Sequence, residues 1–205
     1  MEIYFCFANN PAGLYNGGEV MTVRIVVAIT GATGVIYGIT LLQQLKKLEV
    51  EAHLILSRWA RHTIELETSY TVEQVSALAH VEHAEENLAA AVSSGSFRHH
   101  GMVIAPCSMK TLAGLAHGYA ENLIVRAGDV TLKEGRPLIL VPRETPLNTI
   151  HLENMLRLTR AGAVILPPMP AFYQHPTTLQ DIVDQTVGRI LDRLGLENDL
   201  VKRWS

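Results

Sequence analysis

Five short apolar runs, rich in β-branched residues, alternate along the chain with longer segments whose apolar residues recur every three or four positions. The runs cover residues 23–30, 51–57, 101–107, 137–143 and 163–168. A continuous apolar run predicts a strand buried on both faces of a sheet, and the longer spacing predicts helices packed against it. This alternation predicts a single-domain α/β fold: a doubly wound, flavodoxin- or Rossmann-like, mostly parallel sheet flanked by helices.

Helical spacing is found in seven segments of the chain. They cover residues 35–47, 59–66, 72–79, 109–116, 123–133, 150–160 and 179–194. Between the third and fourth of these segments, His80 and His83 lie among glutamates in a polar stretch. We expect a solvated face there rather than a metal site.

The first twenty residues differ in composition from the remainder. They are apolar, then rich in Gly, Asn and Pro, and they lack the positively charged start of a signal peptide. A second methionine, Met21, immediately precedes the first predicted strand. We therefore expect residues 1–20 to be an extension outside the domain, with the natural start at Met21 and the domain spanning 21–205. A genuine N-terminal arm is the alternative.

Composition restricts the classes of partner and the compartment. With 205 residues, of which 48% are hydrophobic, the chain suits one well-buried domain. The net charge of −3 gives no electrostatic reason to bind nucleic acid or an anionic membrane, and no apolar run approaches the roughly 20 residues of a membrane span. Cys6 and Cys107 lie far apart and suggest no disulfide framework, which predicts a cytoplasmic protein.

The sequence TGATG joins the first predicted strand to the first helix. Gly31 and Gly34 leave backbone N–H groups exposed at a helix start, where an anion is favoured, and Thr33 adds a hydroxyl. A dinucleotide-binding motif would place a third glycine at position 37, but Tyr37 stands there and the next glycine is Gly38. The motif therefore favours phosphate binding over an ordinary dinucleotide, and a purely structural turn stays open.

Two later strand ends also carry polar residues, and parallel strands open their ligand crevice at this edge. Ser108 and Thr111 begin a helix and can either cap it or contact a flavin. Arg143 offers a planar fork for phosphate or a ring carbonyl, and Glu144 can carry a proton; a solvated ion pair is the alternative. Cys107, at a buried strand end, is interpreted as inert packing.

Further candidates lie on the later helices and on a proline-rich loop. Arg126 and Lys133 are seven residues apart and therefore share one helix face. The alternative to a functional role for this pair is a solvent-facing stripe of charge. Tyr173 lies in the loop PPMPAFYQHP, which either walls a pocket or is a rigid connection. Arg189, on the last helix, has the pattern of a surface arginine.

Taken together, six blocks of the sequence resemble the UbiX-type flavin prenyltransferases. The blocks are TGATG, SSGSF at 93–97, PCSMKTLAG at 106–114, RAGDVTLKEGRPLILVPRETPL at 126–147, IHLENM at 150–155 and PPMPAFYQHP at 167–176. The match runs from about Met21 to Trp204. Gly128 stands where an alanine is expected, and Thr33 stands where many members carry serine.

The resemblance implies a flavodoxin-like subunit of a homo-oligomer, a dodecamer, with FMN bound between subunits. Such enzymes transfer a dimethylallyl group from dimethylallyl phosphate to N5 and C6 of reduced FMN without a metal ion. The product, prenylated FMN, serves a UbiD-type decarboxylase. An NADP-dependent reductase and a non-catalytic accessory subunit of a decarboxylase are the alternatives.

The resemblance also assigns roles to individual residues. The implied FMN contacts are Gly31, Ala32, Thr33, Ser57, Ser108, Met109, Lys110, Thr111 and Arg143. The implied contacts to dimethylallyl phosphate are Tyr173, Arg189 and Lys133, with Trp204 closing over the site. The implied catalytic residues are Glu144 for proton transfer, Thr33 near the reacting prenyl group, and Lys133 and Arg126 for positive charge.

Overall fold

The computed structural model describes residues 14–16, 19–201 and 203. The strands are β1 (Leu14–Asn16), β2 (Glu19–Met21), β3 (Arg24–Ile29), β4 (Glu51–Leu56), β5 (Val81–Ala84), β6 (Gly101–Cys107), β7 (Leu138–Pro142) and β8 (Val164–Ile165). The helices are α1 (Val35–Lys47), α2 (Arg58–Glu67), α3 (Val72–Ser76), α4 (Met109–Ala116), α5 (Leu123–Lys133), α6 (Thr149–Arg160) and α7 (Leu179–Arg193).

Six of these strands form one sheet in the order β5-β4-β3-β6-β7-β8, and every neighbouring pair in it is parallel. The predicted α/β fold with a parallel sheet is thus confirmed. The chain winds outward from β3 in one direction and from β6 in the other, so the order reverses between these two strands. In open parallel sheets, ligands bind outside the carboxyl ends of the strands at this reversal.

Apolar helix faces cover both sides of the sheet. One cluster of buried residues joins the sheet to α1 and α7, for example through Ile39 and Val187. The other cluster joins it to α4, α5 and α6, for example through Leu112, Ile124 and Leu158. The described part of the chain contains no helix with the length and hydropathy that a bilayer span requires. The two-sided burial explains why the central strands have continuous apolar sequences.

Two parts of the fold differ from the sequence pattern. β5 is an edge strand that was not predicted, because three of its four residues are exposed and it lacks apolar alternation. The expected solvated face is found at His80 and Glu82, which are exposed, whereas His83 is half-buried and its ring stacks 5.2 Å from that of His53. In addition, β1 and β2, within the expected extension and its boundary, form a separate antiparallel hairpin.

A paired polar network lies at the amino ends of the central strands. Arg24 Nε donates to Glu51 at 2.9 Å, and Nε2 of His53 lies 2.9 Å from the same carboxylate. The other ring nitrogen of His53 lies 2.9 Å from Nε2 of His83. The polar groups at this edge therefore satisfy one another within the chain.

Candidate functional site

An open cavity of about 550 Å³ lies at the carboxyl ends of β3, β4 and β6, where the strand order reverses. This volume is typical of a small-molecule site. Five of the nine predicted FMN contacts line the cavity: Gly31, Ser57, Ser108, Lys110 and Thr111. The fold thus brings together the ends of the first three predicted strands, whereas the end of the fourth, with Arg143 and Glu144, does not line the cavity.

Thr30 fastens the two central strand ends to each other. Its side chain is buried, donates to the Pro106 carbonyl at 2.7 Å and accepts from the Ser108 N–H at 2.9 Å. β6 is irregular between Ile104 and Cys107, and the Thr30 hydroxyl satisfies backbone groups at that point. The glycine turn and the start of α4 are therefore held at a fixed separation across the cavity floor.

The glycines of TGATGVIYG have separate geometric roles. Gly34 adopts a φ of 95°, in the left-handed region that favours glycine. A Cβ on Gly38 would lie 2.3 Å from the Ala105 carbonyl oxygen, so this glycine lets α1 pack closely on β6. Close helix–strand packing is the role of the third glycine in a dinucleotide motif. Here that role belongs to Gly38, one position later than the motif requires.

Two serines of the cavity wall also cap helices. Ser57 Oγ accepts from the Ala60 N–H at 3.0 Å, and Ser108 Oγ accepts from the Thr111 N–H at 3.3 Å. Ser108 also donates to the Thr111 hydroxyl at 3.1 Å. The capping interpretation of Ser108 is confirmed, and the same hydroxyls lie where a bound ligand can reach them.

Glu85, which sequence reasoning missed, ties two helix starts together at the cavity. Its carboxylate accepts from the Arg58 N–H and from the Asn122 side-chain amide, each at 2.7 Å. Its carbonyl accepts from the Leu123 N–H at 2.8 Å. The residue follows the unpredicted edge strand β5, so no strand-end signal marked it. Its contacts fix the starts of α2 and α5 relative to each other.

Glu67 is a second missed residue, two turns beyond the cavity wall on α2. Its carboxylate accepts from the Gly34 N–H at 2.8 Å, so it lies beside the turn that carries Thr33. On the same face of α2, Thr63 Oγ1 donates to the Trp59 carbonyl at 2.9 Å and lies 3.5 Å from the Gly31 carbonyl oxygen. The spacing of Trp59, Thr63 and Glu67 by four residues was the available signal.

Other predicted FMN contacts lie near the cavity but do not line it. Ala32 and Thr33 lie in the glycine turn, and Met109, the first residue of α4, packs against the apolar core. Arg143 is exposed at the end of β7, and its N–H donates to the Cys107 carbonyl at 3.4 Å. Next to it, Glu144 is also exposed, and its carboxylate accepts from the Thr145 N–H at 2.9 Å.

Arg126 and Lys133 lie at opposite ends of α5. Arg126 forms an ion pair with Asp129 at 2.9 Å near the cavity end of the helix. Lys133 pairs with Glu134 where the chain turns into β7, at the amino edge of the sheet. Val125 lines the cavity. Lys133 follows it by eight residues on the same helix, which places it about 12 Å further along the helix axis. Lys133 therefore does not reach the cavity of its own chain.

The remaining predicted contacts to dimethylallyl phosphate are also dispersed. Tyr173 is exposed in the 3-10 turn after β8, and Arg189 is exposed on α7, 3.4 Å from the Asp192 carboxylate. Trp204 lies outside the described residues. Neither Tyr173 nor Arg189 lines the cavity of its own chain.

Cys107, by contrast, is buried beneath the strand end. Burial raises the pKa of its thiol well above the ordinary range, so the sulfur is protonated at neutral pH. The structure agrees with the expectation of inert packing.

Comparison with known proteins gives consistent results. A family model described as Flavoprotein matches residues 16–191. A probable UbiX-like flavin prenyltransferase of Streptomyces sp. (strain D7) is 60% identical over 183 residues, which cover 89% of this chain and 92% of that protein.

Two solved structures are similar in both fold and sequence. One is AnUbiX (PadA1) in complex with FMN and dimethylallyl pyrophosphate, with a TM-score of 0.89 and 54% identity, covering 90% of this chain and 98% of that one. The other is a dodecameric FMN-dependent UbiX-like decarboxylase from Escherichia coli O157:H7, with a TM-score of 0.87 and 56% identity, covering 89% and 100%.

Proposed function

This chain belongs to the UbiX-type flavin prenyltransferase family, and on that premise we propose that it transfers a dimethylallyl group from dimethylallyl phosphate to N5 and C6 of reduced FMN. The product, prenylated FMN, passes to a UbiD-type decarboxylase. The observation that carries the proposal is the cavity at the strand-order reversal, lined by five of the nine residues that the family resemblance assigns to FMN. We assign this FMN-binding domain to residues 21–205.

The residues of the cavity suit FMN. Hydroxyl groups of Ser57, Ser108 and Thr111 offer hydrogen bonds to a phosphorylated ligand, and the cavity wall also carries two cationic residues, Arg58 and Lys110. Gly31 presents bare backbone to the cavity. When bound, reduced FMN supplies the electron-rich ring that accepts the allyl group. Ala32, Thr33, Met109 and Arg143 complete the proposed set of contacts.

The cations that hold the prenyl phosphate come, in our proposal, from more than one copy of the chain. Lys133 lies at the amino edge of the sheet, and Arg189 lies exposed on α7, away from the cavity wall. Closed assembly of identical subunits can place such groups beside a neighbour's cavity. A dodecameric relative with 56% identity supports this arrangement.

Each remaining residue has a proposed role in breaking the allylic C–O bond. Arg126, Lys133 and Arg189 stabilise the negative charge that develops on the departing phosphate, and Tyr173 donates a hydrogen bond to it. Glu144 transfers a proton to that phosphate, and Thr33 positions the reacting prenyl group. Trp204 closes over the site and excludes water that would capture the allyl cation.

A cytoplasmic location completes the proposal. The thiol of Cys107 is buried and unpaired, which suits a reducing compartment.

The function is tested by anaerobic incubation of the purified protein with reduced FMN and dimethylallyl phosphate, followed by mass spectrometry of the extracted flavin. We expect the flavin to gain a five-carbon prenyl group, and a parallel sample with dimethylallyl pyrophosphate establishes the preferred donor. Unmodified flavin with both donors would contradict the proposal. Hydride transfer from NADPH would then favour the reductase, and inertness in both assays would favour the accessory subunit.

A further inference from the structure

Trp59 combines two properties that its packing within the chain does not explain. It lines the cavity, yet 67% of the residue is exposed to solvent. Its Cβ and backbone also lie tightly against the glycine turn, because a Cβ on Gly31 would lie 2.3 Å from the Trp59 Cβ. Its carbonyl accepts from Thr63 Oγ1 at 2.9 Å, and its ring meets that of His62 edge-on, with centroids 6.1 Å apart.

We propose that Trp59 is a cofactor-positioning residue, with its indole packing against the isoalloxazine ring of FMN. This inference rests on the proposed function, in that FMN is the ligand of the cavity. A rigid, flat aromatic surface suits a planar three-ring ligand, and such pairs prefer offset stacking or edge-to-face contact. Most other lining side chains are small or polar, and the aromatic ones are Trp59 and Tyr119. Of these two, Trp59 is the one in contact with the glycine turn.

The polar groups of the cavity indicate which end of FMN lies beside Trp59. At the start of α2, the Arg58 N–H is already bonded to the Glu85 carboxylate at 2.7 Å, and the two residues carry opposite charges. This end therefore offers a phosphate neither that N–H nor a net positive charge.

The start of α4 carries Lys110, whose ammonium lies 3.6 Å from the Glu121 carboxylate, and the adjacent hydroxyls of Ser108 and Thr111. Because these two hydroxyls lie side by side there, we place the phosphate at α4, which leaves the ring on the side of α2.

The glycine turn supports the same orientation. Trp59 is in direct contact with Gly31, two residues before Thr33, which we place beside the reacting prenyl group. The prenyl group bonds to the flavin ring, so the ring must approach this turn. The ring of Tyr37 also lies close to this turn, at Gly34, but Trp59, unlike Tyr37, lines the cavity.

The test compares binding of FMN with binding of ribose 5-phosphate, which has the phosphate but no flavin ring. Dissociation constants are measured by calorimetry for the wild type, Trp59→Phe and Trp59→Leu, with Leu66→Ala as the matched control. Leu66 is 77% exposed on the same helix and does not line the cavity. We expect Trp59→Phe to stay within about threefold of the wild type for FMN and Trp59→Leu to bind about tenfold more weakly.

Ribose 5-phosphate separates contact with the ring from damage to the turn. We expect its affinity to be the same in all four proteins. FMN affinity that Trp59→Leu leaves unchanged would overturn the inference, and so would an equal loss of affinity for FMN and ribose 5-phosphate. Trp59→Met, which keeps an apolar side chain without the flat ring, gives the same comparison where the leucine variant does not fold.

The outcomes for Trp59 and for the proposed function are distinguishable. A wild type that prenylates FMN while Trp59→Leu binds FMN normally would overturn the role of Trp59 alone. A wild type that binds FMN through Trp59 but never prenylates it would overturn the proposed function alone.

Discussion

The two edges of the parallel sheet both carry polar and charged side chains, but they use them differently. At the amino edge, Arg24, Glu51 and His53 bond to one another at 2.9 Å within the chain. At the carboxyl edge, Ser57 and Ser108 satisfy helix ends and still face an open cavity. Polar groups satisfied by each other stabilise a fold, whereas polar groups lining open space are available to a ligand.

Lys133 does not fit this division between a structural amino edge and a ligand-binding carboxyl edge. It lies at the amino edge beside Glu134, although the family resemblance assigns it to the prenyl phosphate. A residue with a catalytic role at the structural edge of its own chain requires a second copy to use it. The following predictions therefore test which residues contribute to catalysis and which to stability, from the largest expected effect to the smallest.

Glu144→Gln at the carboxyl edge should slow allyl transfer by about 100-fold or more, because glutamine cannot pass a proton to the departing phosphate. FMN affinity should change by less than about twofold, since Glu144 is exposed and outside the cavity wall. Single-turnover rates and FMN titration measure the two effects. Glu153→Gln, an exposed glutamate on α6, is the control; equal rates for Glu144→Gln and wild type would remove the proposed role.

Gly38→Ala should reduce the free energy of unfolding by about 1–3 kcal/mol, because the new Cβ has no room beneath α1. The obstacle is the Ala105 carbonyl oxygen, 2.3 Å away, which belongs to the backbone of β6. Denaturant unfolding measures the change. Lys47→Ala, at the exposed end of α1, is the control, and a Gly38→Ala protein as stable as this control would contradict the packing role.

His99, next to the amino edge, should make stability depend on pH. Burial lowers the pKa of its imidazole to about 4, from an ordinary value near 6.5. Between these values the unfolded chain binds a proton that the folded chain does not, so the free energy of unfolding falls as the pH drops from about 6.5 to about 4.

Replacing His99 with asparagine should reduce this dependence without abolishing it, because burial also lowers the pKa of His83 and of His100. Replacement of the exposed His62 should leave the dependence unchanged. Denaturant unfolding across this pH range measures the slope. An unchanged slope in His99→Asn would assign the dependence to other groups. Asp181 adds a further loss of stability mainly below pH 4, since hydrogen bonds to the backbone N–H groups of Thr177 and Thr178 lower its pKa from 3.8 to about 2.

The sequence predicted the central strands and most helices because their apolar residues face neighbours on a regular period. α1 and α5, for example, have the bounds that their periodicity indicated. β5 was missed because an edge strand with exposed residues lacks that pattern, and α3 ends at Ser76, three residues before the predicted end.

The site was predictable where it depends on strand ends and not where it depends on contacts between distant segments. Ser57 and Ser108 follow strands, so the fold brings them to one cavity. Glu85 follows the missed strand, and Trp59 acquires its position from a contact with Gly31 that spacing along the chain does not encode. Any convergence of Lys133 on the cavity depends on how copies assemble.

Mixing two inactive variants tests most directly the claim that the site is shared between copies. Lys133→Met and Glu144→Gln subunits are co-assembled in equal amounts, and the mixed oligomer is assayed for prenylated FMN under anaerobic conditions. If the two residues of one site come from different copies, about one quarter of the sites are intact and activity returns to that level. If both come from one copy, every site carries a lesion, and mixed oligomers as inactive as either parent would contradict the account.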